Sequence, residues 1–164
     1  KEVQELCSKY DRSFEETKAW YNGYELSVVE AQKLKVYAMY NPKSVVDAML
    51  SGIFDNYWNQ TETYEALKAY ICMNFDGLKD SVIKILAGDR VQINTGTFSN
   101  DMTSFQSRDD ILTLLVHLGY LSYHWPDKIV AIPNKEVSQE YVNAISTMDW
   151  NEVIHSVEAS RKLL

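Results

Sequence analysis

The chain has 164 residues, a formal charge of −7, 46% hydrophobic residues and 24% charged residues. That length suits one compact domain or two small ones, and the composition excludes a disordered chain. The acidic balance disfavours a general nucleic-acid clamp, because phosphate binding draws on clustered Lys and Arg.

Val3, Leu6, Cys7, Tyr10 and Phe14 recur at helical spacing and predict an opening helix. Ser13, with Glu16 three residues later, reads as a capping box that restarts a helix toward Trp20. Asn22-Gly23 then stops it. Two short extended pieces, at about 24–26 and 36–39, can pair as a hairpin, and Asn41-Pro42 ends the second. Ser44 is expected to cap a helix carrying Val45, Val46, Met49, Leu50 and Ile53. A loop holding Tyr57 and Trp58 follows. Two more helices are expected, one aligning Tyr64, Leu67 and Ile71, the other Leu78, Val82, Ile85 and Leu86. Gly77 marks the corner between them and Gly88 closes the second.

Residues 90–94 read as a short strand, and 95–107, rich in Thr, Ser, Asn and Gly, as a loop. Ser107, with Asp110 three residues on, opens a strongly apolar helix on which Asp110, Thr113 and His117 form a narrow polar stripe. Gly119 closes it. Segments 120–124 and 129–132 flank Trp125-Pro126-Asp127-Lys128 as a second hairpin. A helix from about Asn134 aligns Val137, Tyr141, Ala144, Ile145 and Met148. Asp149 and Trp150 interrupt it, and a last helix carries Val153, Ile154 and Val157. The expected fold is mainly α with small β-hairpins: a helical unit over 1–89, a winged-helix-like module over 90–148, and the start of a further domain at 149–164.

Catalytic patterns are missing from this segment. It has no Gly-Lys-Ser/Thr, no Gly-x-Gly-x-x-Gly and no Gly-x-Ser-x-Gly. The one Glu-x-Lys, Glu16-Thr17-Lys18 with Asp11 upstream, sits in a predicted helix, where a solvated face is the expected role. Cys7 and Cys72 occupy apolar helical positions and read as reduced, buried thiols of a cytoplasmic protein. His117, His124 and His155 lack ligand spacing, so no metal is expected. No membrane span is expected. In the winged-helix-like part, Arg108, Lys128 and Lys135 stand against Asp109, Asp110, Asp127, Glu136 and Glu140. Arg108 and Lys128 are the candidate nucleic-acid contacts, but this acidic balance favours a protein-facing or intramolecular role. No catalytic or cofactor-binding residue is assigned.

Five short motifs occur in order: Trp20-Tyr21-Asn22-Gly23-Tyr24, Tyr40-Asn41-Pro42-x-Ser44, Tyr57-Trp58-x-x-Thr61, Leu118-Gly119-Tyr120-Leu121 and Ile132-Pro133-Asn134-Lys135-Glu136-Val137. Together they resemble the AAA-ATPase-like proteins of anaerobic and gut bacteria that carry a C-terminal PD-(D/E)XK nuclease-like domain. The resemblance implies an upstream P-loop core, binding ATP and Mg, and a nuclease-like domain near or after the last motif. This chain would be the non-enzymatic lid or coupling segment between them. Trp20, Tyr24, Asn41, Tyr57 and Trp58 would order its packing on the ATPase core.

Overall fold

The computed structural model describes residues 1–58, 63–73, 75–98 and 104–146. The sequence expectations at Thr61, the Tyr64 side chain, Met148, Asp149, Trp150 and the final helix, and with them the domain start at 149–164, lie outside the described residues. What is described is a mixed α/β chain of helices with two small antiparallel sheets.

The first part holds α1 (Glu2–Tyr10), α2 (Phe14–Tyr21), a hairpin of β1 (Asn22–Glu30) and β2 (Lys33–Tyr40), and α3 (Pro42–Ser51). Ser13 caps α2 by accepting from the Glu16 N–H at 3.2 Å. Asn41, not Ser44, caps α3: its Oδ1 faces the Ser44 N–H at 3.5 Å, and Pro42 takes the first helical position. Ser44 lies inside the helix, which frees its hydroxyl for another partner.

The first hairpin is much longer than the short pieces expected. Its register pairs Tyr24 with Met39, Leu26 with Tyr37, Val29 with Leu34 and Glu30 with Lys33. Ala31 and Gln32 form a two-residue turn with φ of 47° and 64°. Such primed turns match strand twist, but Gly or Asn normally fills them. The hairpin therefore carries none of the usual turn residues.

The second part holds α4 (Thr63–Ile71), α5 (Leu78–Leu86), β3 (Val91–Gln92), a single 3₁₀ turn at Thr95–Thr97, α6 (Arg108–His117), β4 (Ser122–His124), β5 (Ile129–Ala131) and α7 (Lys135–Ser146). The strands order β3-β5-β4, all antiparallel. Lys128 takes the left-handed conformation at the turn before β5.

Packing forms two apolar clusters. The smaller one joins Cys7, Tyr21, Val45, Ala48 and Met49 from α1, α2 and α3. The larger one gathers Leu67 and Ile71 of α4, Leu78, Val82, Ile85 and Leu86 of α5, and then Val91 through Ile145. Thus α4 and α5 share a core with the residues after position 89. Burying one such Leu or Ile side chain is worth about 1.5–3 kcal/mol.

Two expectations about polar residues change. The Asp110, Thr113 and His117 stripe is not a solvent face, since Asp110 and Thr113 are buried. Asp110 accepts from the N–H groups of Gln106 at 2.8 Å and Ser107 at 3.0 Å, and from the Thr97 hydroxyl at 3.0 Å. Burial pushes its carboxyl up, but these hydrogen bonds outweigh it and the pKa is lowered. Thr113 donates back to the Asp109 carbonyl at 2.7 Å. His117 alone of the three is exposed, stacked on Phe98. Cys7 is buried beside the Thr17 hydroxyl, whereas Cys72, at the end of α4, is exposed.

Candidate functional site

Glu136 lies in the first turn of α7 and is fully buried. Its Oε1 accepts from the Ser44 hydroxyl at 2.7 Å, the Tyr57 N–H at 3.0 Å and the Trp58 N–H at 3.1 Å. The Asn41 amide donates to Oε2 at 3.4 Å. One carboxylate thus ties together the start of α3, the loop after it and α7.

The surrounding contacts come from the same motifs. Gly23 has φ of 122°, and a Cβ there would stand 1.8 Å from the Pro133 carbonyl oxygen. Tyr24 donates to the Gly119 carbonyl at 2.8 Å. Trp58 lies across Gly119, where a Cβ would come within 2.8 Å of the indole, and its ring sits 5.8 Å from that of Tyr120. The Tyr21 hydroxyl donates to the Asp55 carbonyl at 3.0 Å, while the Tyr21 carbonyl accepts from the Asn41 N–H at 3.0 Å. All five motifs therefore meet in one junction between the two clusters.

Each proposed interface residue has a definite place. Tyr24, Asn41 and Trp58 make contacts within the chain, as above. Tyr57 adds a hydrogen bond from its hydroxyl to the Ile53 carbonyl at 2.8 Å. Trp20 is half-buried against the smaller cluster, 6.2 Å from the Tyr21 ring.

A second buried carboxylate, Glu140, lies one turn along α7 and is held by the Asn56 amide. Its other oxygen is buried and has no partner. Burial pushes both carboxyl groups up; the four donors at Glu136 and the one at Glu140 pull the other way without cancelling it. Burial likewise raises the phenols of Tyr21 and Tyr24. Two acids so shifted resemble a tuned acid–base pair. Here both are sealed from solvent, and Glu136 already has four donors on its carboxylate. It acts as a fixed acceptor. Sequence reasoning placed both acids in a tally of charge, and Glu136 also in the last of the five motifs, with a role for neither. The available signal was their i, i+4 spacing beside the apolar stripe of Val137, Tyr141 and Ala144, with no basic residue positioned to pair with them.

That tally also changes. With Asp110, Glu136 and Glu140 buried, Asp109 and Asp127 remain of the five acids counted against phosphate. Arg108 is engaged: its Nη1 donates to the Ser81 hydroxyl at 2.8 Å and its Nε to Asp109 at 3.2 Å. Lys128 is exposed at the tip of the second hairpin. His124 links that hairpin to Glu25 of β1, and its other ring nitrogen lies 3.3 Å from Asp127.

Much apolar surface stays open. Val29 is 69% exposed and Leu50 68%, and Leu26, Leu34, Val36, Tyr37 and Met39 are exposed on the first hairpin. Among the described residues, no group of three or more His, Cys, Asp or Glu is placed to hold a metal ion. None of their helices is long and apolar enough to cross a membrane. Compared with known proteins, the chain matches no family model, no curated protein and no solved structure.

Proposed function

We propose that this chain is a non-catalytic coupling segment of an AAA-ATPase-like protein. It would join an upstream P-loop core, which binds ATP and Mg, to a downstream PD-(D/E)XK nuclease-like domain. The observation that carries this reading is the apolar first hairpin rooted in the motif junction. The register sets exposed Leu26, Tyr37 and Met39 on one face and Val29, Leu34 and Val36 on the other; exposed apolar surface of this kind marks a docking face, and a two-stranded hairpin is marginal in water unless something covers it. The occupant we assign is the ATPase core. Because Gly23 and Tyr24 anchor the hairpin base to Pro133 and Gly119, a push on the hairpin would reach α7 through rigid contacts.

The strand order β3-β5-β4, preceded by α5 and interrupted by α6, supports a winged-helix-like arrangement for the second part. A nucleic-acid role for it has less support. Residues Asp110 to Leu115 of α6 are buried, so that helix offers a groove little free surface.

The test starts from the parent reading frame. It should encode a Gly-rich Lys-Ser/Thr loop upstream and an Asp…Glu-x-Lys pattern downstream. Hydrogen exchange on the whole parent should then show slower exchange in β1 and β2 when ATP and Mg are added. Val29→Glu should abolish that protection while leaving the fold intact. A parent without the upstream loop, or a hairpin that exchanges alike in the parent and the isolated chain, would sink the proposal.

A further inference from the structure

The first hairpin stands beside the second along a cleft of about 440 Å³. Ser27, Val29 and Leu34 form one wall, and Val116, Tyr123 and Trp125 the other. Strands β1 and β4 run close together here but belong to separate sheets, with no ladder between them. The hairpin base is fixed at Gly23 and Tyr24. Just past it, His124 reaches across from β4.

Both nitrogens of the His124 ring face a carboxylate. Nδ1 lies 2.5 Å from Glu25 Oε2 on β1, and Nε2 lies 3.3 Å from Asp127 Oδ2 in the turn after β4. An ionised carboxylate only accepts, and a neutral imidazole carries one N–H. Whichever tautomer it takes, the neutral ring serves one carboxylate and sets a bare nitrogen against the other. The imidazolium has two N–H groups and serves both. Arg90 lines a second cavity with Glu25 and His124 and opposes this charge, as does Lys128, which follows Asp127 in the turn. Tyr123 lines that cavity too, and phenols are neutral below about pH 10. Of these groups, only the two carboxylates ion-pair with the ring.

We propose that His124 is a proton-dependent clasp between the two hairpins. With two N–H groups it ties Glu25 to Asp127, holds β1 beside β4 and keeps the cleft narrow. When one proton leaves, one arm opens, and the hairpin is freer to swing out and bare the face that carries Val29 and Leu34. The residue type sets the range, because imidazole changes charge between about pH 5 and 8. All three side chains are partly exposed, so solvent screens the bridge and its grip amounts to about a two- to fivefold shift in hairpin opening. The clasp needs no partner for the hairpin, so it stands or falls apart from the coupling role.

The test follows the full chain by NMR across about pH 5 to 8. The His124 ring titration reports the charge of the clasp. Hydrogen-exchange protection factors at Glu25–Val29, which remove the intrinsic pH dependence of exchange, report its grip. Protection should fall about two- to fivefold as pH rises, with the same midpoint as the ring. His124→Asn leaves the buried acids Glu136 and Glu140 untouched and should erase this step, which separates it from any change in overall stability. Glu25→Gln keeps the side-chain shape; it should move the ring titration to lower pH and shrink the step. The proposal is overturned if protection in β1 is unchanged across the ring titration, if the step survives in His124→Asn, or if Glu25→Gln leaves the ring titration in place.

Discussion

Replacing Glu136 with Ala tests the junction directly. The substitution strips the acceptor from the Tyr57 N–H, the Ser44 hydroxyl and the Asn41 amide, and one of two acceptors from the Trp58 N–H. Ser44 and Asn41 can turn toward other acceptors. The Trp58 N–H keeps the Asn56 Oδ1, which accepts from it at 2.9 Å. The Tyr57 N–H is fixed by the loop and has no such second acceptor. A buried donor left unsatisfied costs about 1–3 kcal/mol. Small domains are stable by only about 5–15 kcal/mol, so a sizeable part of the stability should disappear. Removing a buried charge recovers part of this, and Glu136→Gln separates the two effects. Gln keeps one acceptor oxygen and sheds the desolvation penalty, so it should be far milder than Ala. The assay is urea unfolding followed by tryptophan fluorescence, since Trp20 and Trp58 flank the joint. A loss below about 1 kcal/mol for Glu136→Ala, or equal losses for Ala and Gln, would refute the reasoning.

Two further outcomes are expected. Because burial raises Glu136 and Glu140, their contribution is complete below the ordinary carboxyl value of 4.5 and is lost as pH rises through their folded values. Asp110 is lowered and behaves oppositely: its contribution is present above 3.8 and is lost as pH falls through its folded value. Stability should therefore peak in weak acid and decline toward neutrality, and Glu136→Gln should flatten that decline in pH-resolved urea titrations. Gly23→Ala should cost more than about 4 kcal/mol, since the new methyl would overlap the Pro133 carbonyl at 1.8 Å and φ is strongly positive. Thermal unfolding would show this as a large drop in midpoint, and an unchanged midpoint would count against the close approach.

The helices were legible because their apolar spacing is regular and starts such as that of α2 carry a cap residue, Ser13; the cap of α3 reads three residues late, at Ser44 instead of Asn41. The second hairpin was legible too, since Pro126 and Asp127 announce its turn. The first hairpin was foreseen only as two stubs. Its turn is Ala31-Gln32, which has no turn chemistry, so the alternation of Tyr24-Glu25-Leu26-Ser27-Val28 and Lys33-Leu34-Lys35-Val36 was not joined into one long hairpin. Helix α6 misled differently. Asp110 and Thr113 looked like a wet stripe, yet both satisfy backbone groups locally, which allows a polar side chain to be buried. The Glu136 junction escaped sequence reasoning because its partners come from distant parts of the chain. Periodicity reports which face of an element is buried, never which distant donors meet it there.

That distance has a consequence for how the chain forms. The bonds that close the junction join residues 79, 92 and 95 positions apart. Loop closure must precede any reward from such contacts, so they form late in folding. During synthesis the first fifty-eight residues leave the ribosome long before Glu136 exists. Until then the Tyr57 amide must be satisfied by water, while that of Trp58 has only the local Asn56 Oδ1, and the loop that carries them stays open. The nascent part up to residue 58 should accordingly be cut by protease near residue 57, and resist once α7 has formed, which makes α7 the segment whose arrival closes the junction.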